Sequence, residues 1–147
     1  DNLNQEAGSR RVIEYHGNAR HLVCLDCEAT EPLPKDAFPE RPPDCPRCRH
    51  LMKPGVVMFG EMIPVEAMVE AEALARGCDL CLIVGTSAQV YPAAGLPELA
   101  KRSGACVIEV NIETTDFTYD IVDYFLQGSA GMILSQLTSE IKSMPAP

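Results

Sequence analysis

Apolar positions recur at helical spacing over 65–76, where Val65, Met68, Val69, Ala73 and Leu74 share a face and Gly77 supplies a stop. The next segment, 79–84, is a continuous apolar run closed by Gly85. A short run apolar on both faces predicts a buried parallel strand. A second helix is expected over 93–102 and a second buried strand over 105–110, ending at Asn111. The stretch 124–126 predicts a third short strand. Residues 129–143 predict a last helix, with Ala130, Ile133, Leu134, Leu137 and Ile141 on one face. Strands alternating with helices predict an open parallel α/β sheet. Ligands of such sheets bind at the C-terminal strand ends, where Gly85-Thr86-Ser87 and Asn111 fall.

The first 64 residues lack this rhythm. A short strand is expected at 11–15, ending at His16-Gly17, and strand-like residues recur at 56–59 within a loop over 54–64. The stretch 31–44 is dense in proline and charge and predicts little regular structure. Two Cys-x2-Cys pairs flank it, Cys24 with Cys27 and Cys45 with Cys48, seventeen residues apart. Each pair places two soft anionic sulfurs on one side of an ion, and this spacing points to zinc. Two disulfides or four unrelated core thiols are the alternatives. Four thiolates fill a tetrahedron and leave no position for water, so the zinc is structural. The expected organisation is a zinc module at 21–53 inserted into an α/β domain formed by 1–20 and 54–147.

The formal charge of −9 argues against direct nucleic-acid binding, which needs clustered Lys and Arg. It suits a cationic partner such as a lysine-rich peptide, although solubility alone also accounts for it. No run of eighteen apolar residues exists, so no membrane partner is expected. The opening Asp1–Glu6 is polar, unlike a secretory leader. Seven cysteines, four of them in zinc spacing, suggest a reducing compartment, cytoplasmic or nuclear. Cys78-x2-Cys81 reads as a redox pair or as core thiols; Cys106 reads as a core strand residue.

Several segments, in order, resemble the sirtuins, NAD-dependent protein-lysine deacylases. Asp1-Asn2-Leu3-Asn4-Gln5-Glu6-Ala7-Gly8 is similar to the tail of the family's Gln-Asn-Ile-Asp-x-Leu-His motif, with Asn4 in place of a usual His. Val12-Ile13-Glu14-Tyr15-His16-Gly17 resembles the segment that delivers the family's histidine. Val56-Val57-Met58-Phe59-Gly60-Glu61 resembles its substrate loop. Gly85-Thr86-Ser87-Ala88-Gln89-Val90-Tyr91-Pro92 resembles its Gly-Thr-Ser segment. Val110-Asn111-Ile112-Glu113 and Gly128-Ser129-Ala130-Gly131 resemble its last two adenosine-contacting turns.

This resemblance implies a partial Rossmann-like sheet, the C-terminal portion of the family's fold, with NAD as co-substrate and an acylated lysine peptide as the second partner. It implies His16 as general base on the ribose hydroxyls. It implies Asp1, Gly85, Thr86, Ser87, Asn111, Glu113, Ser129 and Ala130 as NAD contacts. Peptide contacts would come from Val57, Met58, Phe59, Gly60 and Glu61 on one side and Gln89, Val90 and Tyr91 on the other, with Phe59 walling the acyl-lysine stem. His21 and His50 match no family position. The family's Gly-Ala-Gly-x-Ser phosphate loop and Asp-Phe-Arg segment do not occur in these 147 residues. The expectation is therefore a fragment, an incomplete gene product or one part of a complemented assembly, inactive alone and exposing an apolar sheet edge open to self-association. The alternative functions are a non-catalytic zinc-stabilised peptide-binding module and a nucleic-acid-binding zinc ribbon, the latter opposed by the charge.

Overall fold

The computed structural model describes residues 1–33 and 41–145. The chain forms two compact units, Asp1–Val69 and Glu70–Pro147.

The first unit opens with a one-turn helix, α1 (Leu3–Glu6), and is built on three antiparallel strands, β1 (Gly17–Cys24), β2 (Thr30–Pro32) and β3 (Met52–Val56), in the order β2-β1-β3. β1 pairs with β3 at both ends, Gly17 opposite Val56 and Cys24 opposite Met52, with a register shift between Asn18 and Leu22. Gly17 has φ +74°, and a Cβ there would lie 2.1 Å from the Gly55 carbonyl oxygen. Only glycine meets both demands, so the strand crossing fixes the residue that follows His16. Leu22, Cys24, Leu33, Cys45 and Met52 form the core, with Cys27, Ala29 and Cys48 packed around it. Five buried side chains among the described residues make a core too small to hold such a unit without a staple.

The structure moves two expected strands. Residues 11–15 are irregular: the Tyr15 N–H donates to the Ile13 carbonyl at 2.9 Å and the Gly17 N–H to the Glu14 carbonyl at 2.9 Å, so the chain turns there and extends only from Gly17. The strand-like run at 56–59 stops at Val56, because the chain turns at Met58–Glu61, where the Glu61 N–H donates to the Met58 carbonyl at 3.0 Å. Of the proline-rich stretch, Thr30–Pro32 is extended as β2 and Asp44 bridges Leu51; residues 34–40 lie outside the described residues.

α2 (Val65–Gly77) is rich in Ala, Glu, Leu and Met, all strong helix formers, and is stopped by Gly77 as the sequence predicts. In the second unit β4 (Leu80–Val84), β5 (Cys106–Asn111) and β6 (Tyr124–Gln127) form a parallel sheet in the order β4-β5-β6, linked through α3 (Gly95–Arg102) and α4 (Asp116–Asp120) and followed by α5 (Ala130–Ser143). Pro97 is tolerated in the first turn of α3, where its missing N–H has no intrahelical role. Asp123 ties α3, β5 and β6 together: its carboxylate accepts from Lys101 Nζ and, at 2.8 Å, from the Val107 N–H. Those two donors hold its carboxyl below the usual carboxylate range.

One sheet face is the core, with Ile83 and Val107 packed on Ala94 and Phe117. The other face corrects the expectation of a doubly buried β4. Leu80, Leu82 and Val84 are exposed, at 52%, 41% and 38%, and only Ile83 of this strand is buried. Alternate side chains of β4 therefore meet the core on one face only. α5 likewise buries no residue fully; Ile133, Leu134 and Leu137 are half-buried and Ile141 is exposed. No helix among the described residues is long and apolar enough to cross a membrane.

Candidate functional site

The four paired cysteines converge, with all four Sγ atoms within 4.8 Å of one another. Cys24 and Cys48 sulfurs lie 3.4 Å apart, and those of Cys27 and Cys45 3.7 Å apart. A tetrahedral zinc with Zn–S near 2.3 Å sets sulfurs about 3.8 Å apart, so the cage fits the ion. Backbone amides point at the sulfurs: the Asp26 N–H approaches Cys24 Sγ at 3.4 Å, and the Arg47 N–H approaches Cys45 Sγ at 3.4 Å. Hydrogen bonds from the Cys27 and Asp26 amides pull the Cys24 thiol down to about 6. At Cys48 the His50 amide also pulls down, but burial and the Cys24, Cys27 and Cys45 thiols override it and push the thiol up to about 12. Four sulfurs at this spacing cannot all ionise unaided; a dication removes the conflict and binds with proton release. Four thiolates close the coordination sphere, so the zinc holds the fold.

His16 sits exposed immediately before β1, its ring edge-on to Tyr15 at 5.4 Å between centroids. Its carbonyl accepts the Val57 N–H at 2.9 Å. The candidate base and the candidate peptide loop are thus joined through the backbone. Within that loop Met58 and Phe59 are 57% and 97% exposed, two large apolar side chains held in solvent. Glu61 turns inward on the loop, accepting from Lys53 Nζ at 2.8 Å and from the Met58 N–H at 2.9 Å. Lys53, then the Met58 amide, hold the Glu61 carboxyl below its ordinary value of 4.5. A depressed folded-state pKa means that this contribution is full above the ordinary value and is lost as pH falls through the depressed one. Asp1 lies at the start of this unit, with Oδ1 accepting the Leu3 N–H at 3.0 Å.

In the second unit the strand ends converge as the sequence predicts. The Asn111 carboxamide donates to the Thr86 carbonyl at 2.8 Å, and the Gly85 N–H donates to the Val110 carbonyl at 3.0 Å. The Gly128 N–H donates to the Asn111 carbonyl at 2.8 Å, which sets Ser129 and Ala130 at the first turn of α5 beside that strand end. Glu113 is exposed just beyond it. Gly85 and Ala88 both take positive φ, +59° each, and reverse the chain toward Gln89, Val90 and Tyr91. The Tyr91 hydroxyl donates to Glu98 Oε1 at 2.7 Å, and that carboxylate raises the phenol's pKa.

Two residues escaped the sequence reading. Glu109, inside an apolar strand, is fully buried, its carboxylate accepting from the Thr115 hydroxyl at 2.8 Å, from the Thr118 hydroxyl, and from the Asn111 carboxamide at 3.4 Å. A buried carboxylate must be hydrogen-bonded, and two threonines three apart just after the strand are the signal that could have revealed it. Lys53 is the other. Its charge in a β-strand eight residues before Glu61 gave no sign that the two meet.

The fold and site define a zinc-stapled α/β protein whose parallel-sheet ends gather small and polar residues. Residues 1–92 match the Sir2 family, and the chain belongs to that family. An NAD-dependent protein deacylase of Pyrococcus furiosus is 43% identical over 147 residues, covering 97% of this chain and 58% of that protein. One from Ralstonia nicotianae is 51% identical over 128 residues, covering 83% of this chain and 50% of that protein. A crystal structure of a Sir2 homolog–NAD complex superposes with a TM-score of 0.91 at 37% identity, over 97% of this chain and 55% of its own. A Sir2–p53 peptide–NAD+ complex superposes with a TM-score of 0.88 at 33% identity, over 97% and 60%. The chain therefore spans about half to three-fifths of the length of these relatives.

Proposed function

We propose that this chain carries the general base, the acyl-peptide loop and the adenosine-side contacts of an NAD-dependent protein-lysine deacylase. The observation that carries the reading is the bond between the His16 carbonyl and the Val57 amide, which sets a histidine at the entrance of β1 against the loop that would receive the acyl-lysine. Relatives named as deacylases and a solved complex with peptide and NAD+ support it. Bound NAD supplies an electrophilic ribose carbon and a leaving nicotinamide. His16 takes a proton from a ribose hydroxyl once the acyl oxygen has attacked, a general-base task for an imidazole. The Val57 carbonyl accepts from the lysine amide nitrogen, Phe59 walls the acyl stem, and Met58, Gly60, Gln89, Val90 and Tyr91 are further peptide contacts. Gly85, Thr86, Ser87 and Asn111 take the adenosine ribose, with Glu113, Ser129 and Ala130 beside it and Asp1 toward the nicotinamide.

Nothing in the 147 residues is a Gly-rich turn of the kind that cradles a pyrophosphate. Attack requires the reacting atoms held about 3–3.5 Å apart, and an unanchored pyrophosphate does not hold them so. The isolated chain is expected to release no measurable nicotinamide from NAD and an acetylated peptide. Joined to the unmatched remainder of the Pyrococcus furiosus relative, it is expected to do so. Robust His16-dependent release by the 147 residues alone would overturn the first expectation; a folded, zinc-loaded chimera that binds acetyl-peptide without turnover would favour a non-catalytic peptide-binding module.

Two finer points belong to the same reading. Seven cysteines outside any disulfide, four of them in the zinc cage, support a reducing, cytoplasmic setting. The exposed Leu80, Leu82 and Val84, on a strand whose outer edge pairs with no described strand, support self-association of the isolated chain through β4. Sedimentation should show a dimer that grows with concentration and is reduced by Leu82→Lys; a strictly monomeric chain at high concentration would contradict it.

A further inference from the structure

We propose that Lys53 is a positioning residue for the acyl-peptide loop, acting through Glu61 to hold the turn at 57–61 in its binding shape. The inference rests on the deacylase reading, which makes this turn the peptide loop. Lys53 lies on β3, the strand that runs directly into the turn. Its ammonium donates to the Val56 carbonyl at 2.7 Å, at the strand's last residue, and to Glu61 Oε2 at 2.8 Å, at the far side of the turn. The same Glu61 oxygen accepts the Met58 N–H at 2.9 Å, and the Glu61 N–H returns to the Met58 carbonyl at 3.0 Å. Gly60, at φ +87°, makes the reversal possible. One cation and one carboxylate thus close the loop at both ends.

The brace has a specific consequence for Met58 and Phe59. Both are exposed apolar side chains, Phe59 almost completely so. An apolar pair kept in solvent by a polar brace marks a contact surface, and a loop fixed beforehand loses less freedom when a ligand arrives. Glu61 therefore serves the peptide by shaping the loop. Its carboxylate oxygen is already engaged, and so is the Met58 amide, which leaves side-chain contact to residues 58 and 59.

Lys53→Met keeps the length and apolar stem but removes the charge, Glu61→Gln weakens both bonds, and Lys53→Arg restores a cation. The measurements are binding of a fluorescent acetyl-lysine peptide to the zinc-loaded chain and amide exchange at Met58, with zinc content and melting temperature as controls. Lys53→Met and Glu61→Gln should bind peptide on the order of tenfold more weakly, the size expected for loss of a charged hydrogen bond, and should exchange the Met58 amide faster while retaining zinc. Lys53→Arg should recover most of the affinity. Unchanged Met58 exchange in both variants would refute the brace. Faster exchange with unchanged peptide affinity would refute its role in binding. Failure of the wild-type chain to bind any acetyl-peptide would sink the deacylase reading of the loop instead, with Met58 exchange still deciding whether the brace exists.

Discussion

A Cys45→Ser variant loses its zinc and, with it, the structure of residues 21–33 and 41–53. Cys45 is completely buried and sits in the five-residue core as well as the metal cage, so one substitution strikes both supports. Structural zinc contributes about 10–16 kcal/mol to the folding of small zinc modules, and a whole domain is stable by only about 5–15 kcal/mol net. Serine offers neither a thiolate nor an apolar side chain, so the remaining core does not compensate. Metal analysis should find one zinc per wild-type chain and close to none in the variant. Chelator should unfold the same residues in the wild type, because the metal binding energy is folding energy in a module with so small a core. Full zinc retention in Cys45→Ser, or a wild-type protein without zinc, would falsify the structural-zinc assignment.

In a chain complemented to full length, His16→Ala should bind acetyl-peptide normally and lose turnover by about 10²–10⁴-fold, the contribution of a general base. The separation is expected because His16 contributes its backbone carbonyl, not its ring, to the peptide loop, and alanine retains that carbonyl. A fall in turnover with unchanged peptide affinity therefore assigns the loss to the imidazole. The check is nicotinamide release alongside peptide binding. Turnover equal to wild type would remove His16 from the chemistry, and a matching loss of peptide affinity would show that the substitution had disturbed the Val57 bond instead.

The parallel sheet was legible because its signal is local. Runs such as 80–84 and 106–110 bounded by Gly85 and Asn111 need no partner to be recognised, and α2 and α5 carry their own helical period, whereas the five-residue α4 offered none. The cysteine cage was legible for the same reason: spacing encodes a tetrahedral site before any fold is known. What the sequence hid depends on contacts across the chain. β1 reads as Gly-Asn-Ala-Arg-His-Leu-Val-Cys, without clean alternation, and becomes a strand because Gly17 can close on Gly55 and Cys24 is drawn to the metal cage. The apolar run of β4 looks doubly buried, yet burial of its second face is a property of neighbours that no local pattern contains. Lys53 and Glu61 are unremarkable letters until β3 brings them within 2.8 Å, and Glu109 looks misplaced until Thr115 and Thr118 are seen to face it.

The hydrogen bond from the Val57 amide to the His16 carbonyl also limits how this lineage can change. His16 and the turn after β3 share this backbone anchor, so an insertion or deletion between Val56 and Gly60 would shift His16 with it. Exchange of side chains at Met58 and Phe59, which point into solvent and bear on no core, leaves that anchor intact. Side-chain exchange at these two exposed positions therefore leaves the bond between strand entrance and turn as it is, whereas a change in the length of the turn does not.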